Sequence, residues 1–405
     1  MIAMIVSVHE YPRQASVVLA LSFFSGYLLL KLLLIEYFST EYLLRVWLLI
    51  CAMPLLILAY LQNPYKKDKG NLNPINSVRI KSKIIVLLLQ FIGIYIYAFS
   101  VTQMGLAEYA TFVNDLFIAF PIIFILVIGY VYFVDRRLEE PEDEYARIGA
   151  MLNKRVSIDT AVLKHFGLKT AVKIVFVPFM YSGFLGNLSI LLNSAWQFNA
   201  DAISLLLFNF GISIDMLIGI FGYLFSSAII NNQIIDTDSN FSGWLFALLC
   251  YPPLVWIMRQ VNDQQDSLIW SDILPHGSVI FWLMFIIINM TWVIYWLATF
   301  EFGMTFSNLS YRRLIDKGVY RYSKHPAYIA KNIYWWLYTL PFIGVAFVSV
   351  EWWKNILGLI FVSLIYYGRA KSEERHLMKF SEYRQYCNEI NKKGIFRWLK
   401  IRPIY

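Results

Sequence analysis

The sequence predicts an all-α protein: a polytopic transmembrane helix bundle of about ten spans, with an amphipathic C-terminal helix on the cytoplasmic side. Three observations predict it. Hydrophobic residues make up 59% of the 405 residues and charged residues only 15%, against roughly 45–50% and 25% in soluble domains. The apolar residues are gathered into runs long enough to cross a bilayer, about 20 residues each. The basic residues fall on alternate sides of those runs, so that thirty-one of the 35 lie on one side. Such a balance excludes a soluble globular enzyme, a coiled coil and a disordered chain. The 18% of aromatic residues suits interfacial belts.

The runs, in order, are 15–35, 43–61, 84–104, 115–134, 174–192, 203–230, 241–258, 277–300, 327–348 and 352–368. The seventh and tenth are short, and Pro252 and Pro253 interrupt the seventh, which leaves nine spans as an alternative. Residues 1–14 do not resemble a removable signal, because a full-length apolar run follows without a small-residue cleavage site. Arg13 and the segments 62–83 (including Lys66, Lys67 and Lys69), 135–173, 300–331 and 369–405 hold the thirty-one basic residues. Only Lys31, Arg45, Arg259 and Lys354 fall on the other side. By the positive-inside rule both termini are expected in the cytoplasm. The net charge of +8 therefore reports topology, and no nucleic-acid partner is expected. One loop is discordant: 231–240 should be cytoplasmic, yet it carries Asp236 and Asp238 and no basic residue.

Two of the basic segments hold structure of their own. In 135–173 an acidic patch (Glu139, Glu140, Glu142, Asp143, Glu144) precedes a basic stretch. There Ser157 could cap a short helix ending at Gly167, either lying in the headgroup layer or closing as a lid. In the tail, Leu377, Phe380, Tyr383, Cys387 and Ile390 recur at steps of three and four, one face of an amphipathic helix. Cys51, Cys250 and Cys387 share no short spacing, so neither a disulfide framework nor a metal site is expected.

Chemistry concentrates in two stretches. Gly318 to Tyr328 reads GVYRYSKHPAY. Pro326 suits the first turn of a helix, where its missing N–H costs nothing, so His325 stands at the mouth of the ninth span. Tyr328 and Asn332 share its face, and Arg321 and Lys324 add positive charge. The second stretch, Arg369 to Leu377, reads RAKSEERHL and follows the tenth span. Each fits an ordinary helix-end anchor as well as a site. A tight hairpin between them would make one pocket with cations on one wall and the carboxylates Glu373 and Glu374 on the other.

Together these residues resemble the isoprenylcysteine carboxyl methyltransferase and phospholipid methyltransferase superfamily of integral membrane enzymes. Its pattern is G-x-Y-R-x-x-R-H-P-x-Y, a helical hairpin, then E-E-x-x-L with F and Y-x-x-Y downstream. The chain supplies Gly318, Tyr320, Arg321, His325, Pro326 and Tyr328, then Glu373, Glu374, Leu377, Phe380, Tyr383 and Tyr386. Lys324 replaces the usual Arg, keeping the charge without the bidentate fork, and Ala330 or Lys331 stands where relatives often have Gly. The resemblance implies an S-adenosylmethionine-dependent methyltransferase acting on a lipid or lipid-linked acceptor. It implies cofactor contacts from Lys324, His325, Pro326, Tyr328, Asn332, Glu373 and Glu374, with Arg321 and His325 nearest the chemistry. It covers only 271–405, leaving 1–270 as an N-terminal transmembrane region of unassigned role. Asp215, near the middle of the sixth span, is either a helix–helix hydrogen-bonding residue or a contact with the substrate headgroup or another subunit. An NADPH-dependent sterol-reductase-like enzyme and a transporter are the alternative functions.

Overall fold

A helix that is apolar on every side belongs in hydrocarbon, and much of this molecule is built that way. In the computed structural model, which describes residues 11–35, 37–61, 72–195, 197–227, 232–262, 268–339 and 344–397, the chain runs back and forth as helices. In order they are α1 (Tyr11–Leu29, prolonged by a π-helical turn Leu30–Leu34), α2 (Thr40–Leu61), α3 (Ser77–Gln103), α4 (Ala110–Asp135), α5 (Glu144–Leu152), α6 (Thr160–Asn193) and α7 (Ala200–Leu224). There follow α8 (Phe241–Leu248), α9 (Val255–Val261), α10 (Trp270–Ile273), α11 (Val279–Phe302), α12 (Pro326–Thr339), α13 (Val350–Leu377) and α14 (Ser381–Lys393). Two residues of strand, β1 (Asp236–Thr237) and β2 (Ser310–Tyr311), pair antiparallel.

Among the described residues, six helices are long and apolar enough to cross a membrane: those beginning at Arg13, Ser77, Ala107, Thr160, Ala200 and Val279. The protein is thus an all-α, multi-pass membrane bundle. On α4 the residues Phe117, Ile118, Ile122, Ile125 and Leu126 all face outward, the surface that acyl chains cover.

The centre is α6 against α7. Phe176, Phe184 and Leu188 are fully buried, and glycines let the two backbones approach, as in other membrane helix pairs. Gly219 lies under Met180, and Gly183 under Met216. A side chain at Gly211 would overlap the Trp296 indole, so that glycine sets the contact between α7 and α11. The first 270 residues are therefore packed directly on the last 135.

The two ends of the bundle differ in charge. At one end Arg79 and Lys83 bind Asp135 at 2.8 and 2.9 Å, Glu144 binds His165 and Lys169, and Asp236 reaches Lys379 at 3.1 Å. At the opposite end Lys31 donates to the carbonyls of Leu191, Leu192 and Ser194. It thereby satisfies acceptors that the C-terminus of α6 leaves open. Arg45 pairs with Asp115 there at 2.7 Å. Lys66, Lys67, Lys69 and residues 398–405 lie outside the described residues.

Several expected boundaries move, each for a local reason. The seventh span is two pieces, α8 and α9, because Pro252 and Pro253 remove N–H donors and obstruct a continuous helix. Both pieces pack along α13, Phe246 against Gly368 and Val261 against Gly358. The helix expected after Ser157 is capped by Asp159 instead, whose carboxylate accepts from the amides of Ala161 and Val162. It does not stop at Gly167, which faces open space, but continues as the fifth span. The ninth span is shorter in its described part, ending at Thr339; residues 340–343 lie outside the description. The tenth is longer, because α13 carries Glu373 and Glu374 on its last turns before ending at Leu377.

Candidate functional site

The loop 306–325 is held before the site is formed. Gly318 has φ +56°, and any side chain there would run into the Glu301 carboxylate, so both backbone and space require glycine. The following turn buries Tyr320 against Phe302, Tyr383 and Cys387. From α14 the Tyr386 hydroxyl donates to the Tyr320 carbonyl (2.8 Å), and just beyond that helix the Ile395 amide donates to the Tyr322 carbonyl (2.9 Å). The tail is amphipathic as its spacing predicts, with Tyr383, Tyr386 and Cys387 inward. It acts as the backing of the loop.

Pro326 begins α12, and the His325 amide is capped by Ser323 Oγ. Here α12 meets the end of α13. Glu374 accepts from Lys324 Nζ at 2.8 Å, from His325 Nε2 at 3.1 Å and from Lys371 Nζ at 3.1 Å. Burial alone would raise its carboxyl, but His325 and Lys324 outweigh burial and hold it well below the usual carboxylate range. Glu373 is less enclosed. It takes the Tyr328 hydroxyl at 3.0 Å and lies 3.9 Å from His325 Nδ1. Tyr328 is in turn roughly parallel to His325 and Tyr366, with centroids 5.7 and 6.2 Å away.

These groups border a cavity of about 120 Å³. Of the residues expected from the sequence, Lys324, His325, Tyr328 and Glu373 line it. Glu374 lies behind them as the ionic clip just described. Pro326 is buried as the first residue of α12, and Asn332 accepts from Ser363 Oγ at 2.7 Å, tying α12 to α13. Arg321 is exposed on its turn and does not line the cavity. Asp215 stands one side chain back: it accepts from the Tyr295 hydroxyl at 2.6 Å, and Tyr295 is a lining residue.

A family model described as a protein of unknown function (DUF1295) matches residues 223–390. No curated protein and no solved structure matches the chain. The matched region runs from the end of α7 into α14 and contains every residue named above as lining the cavity.

Other lining groups were not evident in the sequence. Arg369, Ser372 and His376 belong to the second stretch, but helix spacing alone does not show which of its residues face inward. Tyr251, Asn308 and Lys331 come from three further segments. Asp238 had a signal, as an acid in a loop expected to be basic. It lines the cavity, while Asp236 beside it pairs with the basic tail. Asp236 Oδ2 also lies 3.3 Å from His376 Nε2, within ion-pair range but not aligned for a hydrogen bond. Burial pulls the His376 imidazole below its ordinary value, with Asp238 and Asp236 pulling the other way. Among the described residues no group of three or more His, Cys, Asp or Glu is placed to hold a metal ion.

Proposed function

We propose that the chain is a membrane methyltransferase that uses S-adenosylmethionine to methylate a lipid or other membrane-embedded acceptor. Its motif end and both termini would face the cytoplasm. One observation carries the reading: α12 and α13 bring His325 and Tyr328 together with Glu373 at the wall of one cavity, with Glu374 clipping the two helices behind it. The residues present fit such a donor. Glu373 takes a single hydrogen bond, from Tyr328, which leaves acceptor capacity for an ammonium group. Lys324, at the same wall, offers charge to a carboxylate. The rings of Tyr328, Tyr251 and Tyr295 line the same cavity.

When bound, S-adenosylmethionine supplies an electrophilic methyl group on a sulfonium. The rest is positioning. Glu374 locks the start of α12 to the end of α13, and α14 closes over the loop, so donor and acceptor meet in a fixed frame that excludes water. An anionic oxygen acceptor would need no residue of this chain to take a proton. An amine acceptor would give one up, and His376 or His325 is at hand to take it.

S-adenosylhomocysteine should raise the Tm of the purified protein, since a ligand of the folded state stabilises it. Glu373→Gln should reduce that affinity about tenfold or more, because losing the charged partner of a hydrogen bond costs roughly 1.5–3 kcal/mol. No shift in the wild type would remove the proposal. The second reading, an NADPH-dependent sterol-reductase-like enzyme, is favoured by the ten apolar runs of the sequence. Against it stands the adjacent Glu373–Glu374 pair of the second stretch. NADPH in the same assay decides between them.

A further inference from the structure

Two cations face the cavity, and among the described residues neither is held in an ion pair, although the buried Asp215 attracts Lys331 from farther off. Lys331, on α12 about 7 Å along the helix from Pro326 by helical rise, lines the cavity with Nζ 3.9 Å from the Tyr295 ring centroid. Arg369, on α13, lines it too. One nitrogen donates to Asn308 Oδ1 at 3.0 Å, and the guanidinium stands 5.1 and 5.4 Å from the Tyr328 and Tyr251 rings. Among the described residues neither has a carboxylate within 4 Å. Asp215 attracts Lys331 from beyond ion-pair distance, and its carboxylate accepts from the Tyr295 hydroxyl. The contrast with Glu374 matters: the wall that could have supplied an anion spends it on Lys324, His325 and Lys371. Burying two like charges without an ion-pair partner is costly, and the chain keeps both facing one space, which Glu373 and Asp238 also line beyond ion-pair distance.

We propose that Lys331 and Arg369 form an anion subsite that takes the carboxylate or phosphate of a lipid-soluble acceptor. Calling that molecule the acceptor rests on the methyl-transfer reading; the anion subsite itself does not. The position explains why an amphiphile suits the site. Lys331 lies inside the helix start rather than on the loop, so a headgroup reaches it with its chain still among apolar residues. An anion held there stands in the same cavity as Glu373 and Tyr328, and its charge is the one the sulfonium neutralises on transfer.

Thermal unfolding of the full chain in dodecylmaltoside, titrated with dodecyl phosphate and with dodecanol, tests this. Dodecyl phosphate should raise Tm and dodecanol should not. Lys331→Met should weaken the phosphate's apparent affinity by about tenfold or more, Lys331→Arg should keep it, and both should retain the S-adenosylhomocysteine shift. Equal shifts from the two amphiphiles in the wild type would overturn the proposal even if Lys331→Met failed to fold. So would a folded Lys331→Met that binds dodecyl phosphate normally. Loss of the S-adenosylhomocysteine shift in a folded Lys331→Met would also overturn it, assigning the cations to the donor's own carboxylate. Inorganic phosphate acting as well as dodecyl phosphate would refute the lipid source and leave a soluble anion. A wild type that answers to dodecyl phosphate but not to S-adenosylhomocysteine would support the anion subsite and remove the methyl-transfer reading.

Discussion

Glu374 and Asp215 show how differently two buried carboxylates can be used. Glu374 is surrounded by Lys324, Lys371 and His325, and its folded carboxyl is held below its ordinary value of 4.5. A depressed carboxylate contributes stability that is present above the unfolded value and lost as pH falls through the folded one. The wild-type Tm should therefore drop as pH is lowered below about 4.5, and Glu374→Gln should start lower and flatten that limb. A Tm-against-pH series on both proteins checks it; parallel curves would show that the clip does not couple to folding. Asp215 was expected at span centre, on the order of 15 Å from the motif by helical rise. The cavity reaches inward to Tyr295, so Asp215 is one hydrogen bond from its wall. Asp215→Asn keeps an acceptor for that hydroxyl and should leave S-adenosylhomocysteine binding intact. Asp215→Leu strands it and should cost about 1–3 kcal/mol, read as a lower Tm. At this scale the sequence shows which residue types meet, because the two stretches flank a hairpin. It does not show which of the paired carboxylates is clip and which is free, since that depends on where Lys324 and Lys371 reach.

Elements carry the site through contacts that sequence periodicity shows only in part. The tail helix is legible from its steps of three and four. Its purpose is visible only once Tyr386 is seen to hold the Tyr320 carbonyl. Tyr386→Phe should remove about 1 kcal/mol of stability and weaken S-adenosylhomocysteine binding with it. A Tm loss without any change in binding would reduce α14 to simple packing. Gly318→Ala forces an L side chain into the left-handed region, at about 1–2 kcal/mol, and against Glu301. It should cost more Tm than Tyr386→Phe. The seventh span is hard to read for the opposite reason. Its residues are apolar, but two prolines break it, and only the packing of Phe246 and Val261 on the α13 glycines shows that both pieces run along the same helix. The start of α6 hid in a charged segment because Asp159, not Ser157, supplies the cap, and Lys164, Lys169 and Lys173 kept the apolar count low.

For the whole molecule, the charge count and the contacts point to one arrangement. Ser16, near the start of α1, donates to the Phe300 carbonyl at the end of α11. Ile395, close to the end of the described chain, bonds to Tyr322. Ser16 and Ile395 thus lie at the motif end, where the basic segments meet. The acidic loop 231–240 is no exception to the charge rule, because Asp236 is used to dock Lys379 of the basic tail. Loops rich in Lys and Arg are retained in the cytoplasm, so this end should be inside. Its opposite exposes Met104 and Phe198, while Ile158 is exposed at the motif end. The native thiols interfere little, since Cys51 and Cys387 are buried and Cys250 is half-buried. On intact cells a membrane-impermeant maleimide should label Met104→Cys and Phe198→Cys strongly above the wild type. Ile158→Cys should be labelled only after permeabilisation. Labelling of Ile158→Cys alone from outside would invert the molecule and place the cavity mouth away from the cytoplasm. A donor made there would then have no route in, and the methyl-transfer reading would fail on topology even if every distance in the site were right.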